Sequence, residues 1–61
     1  MDHLPISNIP MLVSSINFLL RDEEFDNLDQ ICDCFGHERE EIDALLASEG
    51  YAYNEEQNRI I

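Results

Sequence analysis

The sequence predicts a mainly α fold: three short helices in a helix-turn-helix-like arrangement with a small C-terminal β-hairpin, a degenerate winged-helix-like domain. Three observations predict it. Apolar residues recur at helical spacing in three separate stretches. Gly36 and Gly50 stand where the second and third stretches need a stop. After Gly50 the period changes, and Tyr51 and Tyr53 flank Ala52 in strand-like alternation.

Residues 1–9 read as an extended arm. Pro5 and Pro10 restrict it, because the residue before a proline is pushed away from helical geometry. Leu4, Ile6 and Ile9 give the arm apolar side chains to lay on the domain. Helix 1 spans 10–21, with Asn8 or Ile9 at its cap. Pro10 is tolerated in the first turn, where its missing N–H would have no intrahelical partner. Leu12, Ile16, Leu19 and Leu20 form one apolar stripe with Val13 beside it. Met11 and Phe18 lie on a second face, so this helix is expected to meet more than one neighbour. Arg21 suits the negative end of the helix dipole.

Residues 22–27 form a polar link with one apolar residue, Phe25. Asp26 or Asn27 is placed to cap helix 2, which spans 28–35 and carries Leu28, Ile31, Cys32 and Phe35 on one face. Gly36 then serves as a left-handed stop. Helix 3 runs from about Glu38 to Ser48 and closes at Gly50, a span of 38–49, with Ile42, Leu45 and Leu46 as its apolar residues. The carboxylates of its first turn face the positive end of the dipole. Residues 51–61 are expected to form a hairpin, a small wing.

A chain of 61 residues makes one domain, 1–61, and buries a smaller share of its surface than a large domain does. Domains of this size often need a staple, and self-association or a partner is the most available one here. The two cysteines, Cys32 and Cys34, are too close in sequence to bridge distant elements. The hydrophobic share of 44% is too high for a disordered acidic tail. The formal net charge is −11, lysine is absent, and the cations Arg21, Arg39 and Arg59 are scattered. Such a field opposes nonspecific contact with nucleic acid or anionic lipid and admits basic partners. No positive and apolar leader stands in Met1-Asp2-His3-Leu4-Pro5, and no apolar run approaches a membrane span. A whole small gene product in the cytoplasm is expected, where free thiols suit a reducing compartment.

Several of these residues also carry a resemblance. Leu4-Pro5, Met11-Leu12, Ser14, Asn17, Leu20-Arg21-Asp22, Leu28-Asp29, Cys32, Gly50-Tyr51-Ala52-Tyr53 and Asn58 resemble a family of very short bacterial proteins catalogued as a domain of unknown function. The resemblance covers nearly the whole chain. Asn8-Ile9-Pro10 stands where family members usually carry an Asp-Pro pair, and the end is Ile60-Ile61 where an aromatic residue is common. The resemblance implies a compact helical domain in the bacterial cytoplasm and brings no activity.

Each candidate site has a plainer reading beside it. A DNA reader lays its second motif helix in the major groove and anchors on phosphates with Lys and Arg. Here that helix displays Glu38, Glu40, Glu41, Asp43 and Glu49 against Arg39 alone, so direct nucleic-acid binding is not expected. Cys32 and Cys34 point to nearly opposite helix faces, and Cys34 with His37 makes two ligands where a structural zinc needs four. The plainer reading makes Cys32 a core residue and Cys34 an exposed thiol. The carboxylate pairs Asp22-Glu23-Glu24 and Glu40-Glu41 lie in a link or on a solvated face, without the burial that raises a catalytic acid.

Asn17 sits between Ile16 and Phe18, and its amide is expected to serve a backbone group in the arm or the link, or else a partner. Tyr51 and Tyr53 are expected to cover the helices with their hydroxyls in water. No catalytic, cofactor-binding or metal residue is assigned, no cofactor is expected, and the chain is not read as an enzyme. The leading expectation is a protein–protein interaction module with a protein partner or as a homo-oligomer, without membrane contact or an identified small-molecule substrate. The alternative is a nucleic-acid-related regulator, acting as an acidic DNA mimic or as a helix-turn-helix subunit with a basic partner.

Overall fold

The computed structural model describes residues 3–61; Met1 and Asp2, the first two residues of the expected arm, lie outside the described residues. Three helices, α1 (Ile9–Arg21), α2 (Leu28–Phe35) and α3 (Arg39–Ser48), precede two short strands, β1 (Tyr53–Asn54) and β2 (Arg59–Ile60). The strands pair antiparallel, Tyr53 opposite Ile60 and Asn54 opposite Arg59. This is the mainly helical fold with a C-terminal hairpin that the sequence predicts.

The differences are local and have causes. The arm is bent rather than extended: the Ile6 N–H donates to the Leu4 carbonyl at 2.9 Å, and the Asn8 N–H to the Pro5 carbonyl at 3.1 Å. The bend buries Leu4 and leaves Ile6 exposed. Helix α1 starts one residue before Pro10, because the Asn8 side chain accepts the Met11 N–H at 3.2 Å and so sets the cap. Helix α3 starts one residue later than expected. Glu38 is its cap residue and makes no side-chain cap bond, so the first turn relies on Glu40 and Glu41 at the positive dipole end. Asn27, rather than Asp26, caps α2 by accepting the Gln30 N–H at 3.0 Å.

All three helices end with the same pair of backbone bonds, in which a left-handed residue and the one after it return to carbonyls of the last turn. After α1, Glu23 donates to Leu20 and Glu24 to Leu19; after α2, Gly36 donates to Asp33 and His37 to Cys32; after α3, Gly50 donates to Ala47 and Tyr51 to Leu46. The turn requires a left-handed residue each time. Gly36 (φ 75°) and Gly50 (φ 82°) supply it freely, whereas after α1 Glu23 holds φ 62° against its own Cβ.

One core serves all elements. Leu12, Ile16, Leu19 and Leu20 from α1 meet Leu28, Ile31 and Cys32 from α2, Ile42 and Leu46 from α3, Leu4 from the arm and Ile60 from β2. No polar or charged residue among the described residues is buried. Phe25 and Phe35 close the α1–α2 link with ring centroids 6.3 Å apart.

Helix α1 lies against β2 and contacts α2 and α3. The α1–β2 contact has a polar lock. Ala52 and Ile61 exchange both backbone bonds across the hairpin, at 3.0 and 2.9 Å. By the alternation of antiparallel pairs, the N–H and C=O of Ile60 then point away from β1. Asn17 takes both: its Oδ1 accepts the Ile60 N–H at 2.7 Å and its Nδ2 donates to the Ile60 carbonyl at 3.1 Å. A single amide side chain thus stands in for a missing third strand. The expected backbone partner exists, but it lies in the hairpin and not in the arm or the link.

Replacing Asn17 by Ala removes both bonds and orphans two backbone groups at a half-buried site. We expect a loss of about 2 kcal/mol in urea unfolding, with amide exchange at Ile60 accelerated more than in α2 or α3. Glu23→Gly relieves the left-handed strain and is expected to stabilise by about 0.5–1 kcal/mol, read as a higher Tm.

Candidate functional site

From Ile9 to Leu20, α1 carries no charged residue, an isolated neutral stretch in a chain of net charge −11. Its exposed residues are Pro10, Met11, Ser14, Phe18 and Arg21. At 100° per residue these fall on one stripe, opposite the buried Leu12, Ile16, Leu19 and Leu20. Met11 is 56% exposed and Phe18 47%. The guanidinium carbon of Arg21 lies 5.9 Å from the Phe18 ring centroid, so the cation covers one edge of the apolar face. The second face predicted for this helix is therefore present and uncovered.

The helix-turn-helix face is organised differently. Arg39, its single cation, is turned inward upon the protein. Its Nη1 donates to Asp29 Oδ1 at 2.8 Å and its Nε to Asp43 Oδ1 at 3.0 Å, while its guanidinium carbon stands 5.0 Å from the Tyr53 ring centroid. One side chain ties α2, α3 and β1 together. Partial burial pulls the Arg39 pKa down, but the hydrogen bonds it donates to Asp29 and Asp43, with their negative charge, outweigh this and raise it overall. Around it Glu38, Glu40, Glu41, Asp43 and Glu49 are all exposed.

The cysteines divide as the plainer reading has it: Cys32 is buried and Cys34 exposed. Burial pushes the Cys32 thiol pKa up, nearby Arg39 draws it back, and Asp29, Asp43 and Asp33 add to the rise. His37, just before the Glu38 cap, faces Glu41 Oε1 with its Nδ1 at 3.0 Å. Among the described residues, no three of His, Cys, Asp and Glu are gathered as a metal would need. Tyr51 and Tyr53 are half-buried over the helices. The Tyr53 hydroxyl, however, is not left to water; it donates to Asn58 Oδ1. Asn58 adopts a left-handed conformation (φ 53°) at the end of the hairpin loop, and its Nδ2 donates to the Asp26 carbonyl at 3.0 Å.

Sequence reasoning missed one juxtaposition. A groove of about 410 Å³ runs between the end of α1 and the hairpin, lined by Asn17, Leu20, Arg21, Gln57, Asn58 and Arg59. It brings together two of the three arginines, which look scattered along the chain. The signal was indirect: only a hairpin returning onto α1 could make neighbours of them.

The profile of a family described as a domain of unknown function (DUF4250) matches residues 7–60. The chain belongs to this family. The match spans all three helices and both strands, from the residue before the Asn8 cap to the Ile60 that Asn17 holds. No curated protein and no solved structure matches the chain. No helix among the described residues is long and apolar enough to cross a membrane.

Arg39→Met keeps the aliphatic stem and removes both ion pairs. Exposed pairs are individually weak, and we expect a loss of about 1 kcal/mol. Since the substitution also leaves Asp29 and Asp43 facing each other uncompensated, added salt is expected to recover part of the loss in thermal melts.

Proposed function

We propose that this chain is a cytoplasmic protein–protein interaction module that docks through the outward face of α1. The observation that carries the reading is the uncharged stripe bearing Met11 and Phe18, apolar and exposed on a surface otherwise crowded with carboxylates. An apolar patch rimmed by polar residues is the usual form of a docking surface. The rim decides the occupant. Two copies each carrying −11 repel as they approach, whereas a partner with an apolar centre and a basic surround is steered in and held. The occupant is therefore a basic protein rather than a second copy. A standard interface of about 800 Å² per partner would engage roughly a fifth of the 4065 Å² accessible surface.

Duplex DNA fits this surface poorly. The helix that would enter a groove presents carboxylates, and its one arginine is committed to Asp29 and Asp43. Catalysis has equally little support, since the carboxylates are solvated and no buried polar group waits in a cleft among the described residues.

The expected outcome is a monomer in light-scattering chromatography at both low and moderate salt. As bait in a lysate of its own cell, the wild-type chain is expected to retain a basic protein that Phe18→Ser and Met11→Ser each release. A stable dimer abolished by the same substitutions would assign the face to self-association; baits that retain identical proteins would remove the reading.

A further inference from the structure

The ion pairs among the described residues are His37–Glu41, Arg39–Asp29 and Arg39–Asp43; Arg21 and Arg59 take part in none. In a chain with 14 carboxylates this is a specific arrangement. The two cations that escape pairing line the same groove, with Leu20 as an apolar wall. We propose that this groove binds a small organic molecule through a phosphate group, bridged by Arg21 and Arg59. This site shares Arg21 with the edge of the α1 docking face, but it does not rest on that docking reading.

The groove is built rather than incidental. Asn17 is locked by its two bonds to Ile60, and Asn58 by its bonds to Tyr53 and Asp26, so the wall between the arginines is held by hydrogen bonds. Arg21 rests on the Phe18 ring, which restricts one of the two forks before any ligand arrives. The chemistry selects phosphate over carboxylate. A carboxylate offers a single pair of oxygens, so a second arginine must share the two atoms that already face the first fork. The terminal oxygens of a phosphate monoester suffice for two forks at once. A dianion also answers both positive charges, an attraction that has to exceed the repulsion from the negative dipole end of α1. The volume, about 410 Å³, is at the lower end of the roughly 300–1,000 Å³ typical of small-molecule sites. It leaves room for an organic moiety against Leu20 and Gln57.

The test is a titration of the whole chain, at low ionic strength in a buffer without phosphate or sulfate, followed by amide chemical shifts. The probes are ribose 5-phosphate, inorganic phosphate and glutarate. Ribose 5-phosphate is expected to bind most tightly, with shifts confined to residues 17–21 and 57–59. Arg21→Gln and Arg59→Gln are each expected to weaken it by about tenfold, and Met11→Ser to leave it unchanged. Both arginines are exposed and outside every ion pair among the described residues, and unchanged spectra elsewhere verify that the variants fold. Arg59→Lys keeps the charge but loses the fork, so it is expected to fall between wild type and Arg59→Gln. Absence of saturable shifts in the groove, equal binding by the double Gln variant, or glutarate binding as tightly as the phosphates would overturn the proposal.

Discussion

One amide holds the hairpin to the first helix. A two-stranded hairpin is marginal by itself in water, and its outer edge carries unpaired backbone groups. Here each strand has only two residues, and the core needs Ile60 from the second of them. Asn17 resolves the conflict by offering a donor and an acceptor on one rigid plane, matched to the N–H and C=O of Ile60. The lock joins the first helix to the last strand. It therefore closes the chain around α2 and α3, to which the Asn17 side chain makes no hydrogen bond. Asn58 repeats the device from the hairpin loop, linking Tyr53 to the backbone at Asp26.

The distribution of cations follows from that closure. With three arginines against 14 carboxylates, the position of each one matters. Arg39 is used internally, where two carboxylates and an aromatic face converge from three elements. Arg21 and Arg59 meet because the hairpin lies along α1. The remaining surface is acidic, apart from the neutral outward stripe of α1. A molecule so arranged has two places that differ from the general field: an apolar face with a cation at its edge, and a small groove with two cations. The acidic background works as a filter for both, since a ligand must offer either apolar area with positive charge around it or a group that engages two forks at short range.

Most of the architecture was legible in the residues. Leu12, Ile16, Leu19 and Leu20 announce a helix by their spacing, and Leu28, Ile31 and Cys32 do the same for α2. Gly36 and Gly50 mark their turns because only glycine takes that backbone freely. The turn after α1 was hidden, since Glu23 has no preference for the left-handed region it occupies. The exposed Met11 and Phe18 were also legible as a second face, because helical geometry separates them from the buried stripe whatever they contact. The groove was not legible: no local rule relates Arg21 to Arg59.

Taken alone, the amino-acid order determined what depends on near neighbours: where helices lie to within a residue, which stripe is buried, and that the chain is acidic. These follow from periodicity, capping and charge, which act over a few residues. Tertiary structure alone decided which polar groups meet. Asn17 with Ile60, Asn58 with Asp26, Arg39 with Asp29 and Arg21 beside Arg59 are unions of separate segments. Hydrogen bonds and ion pairs act over a few ångströms and require fixed direction. Only packing of the shared core brings such groups within that reach.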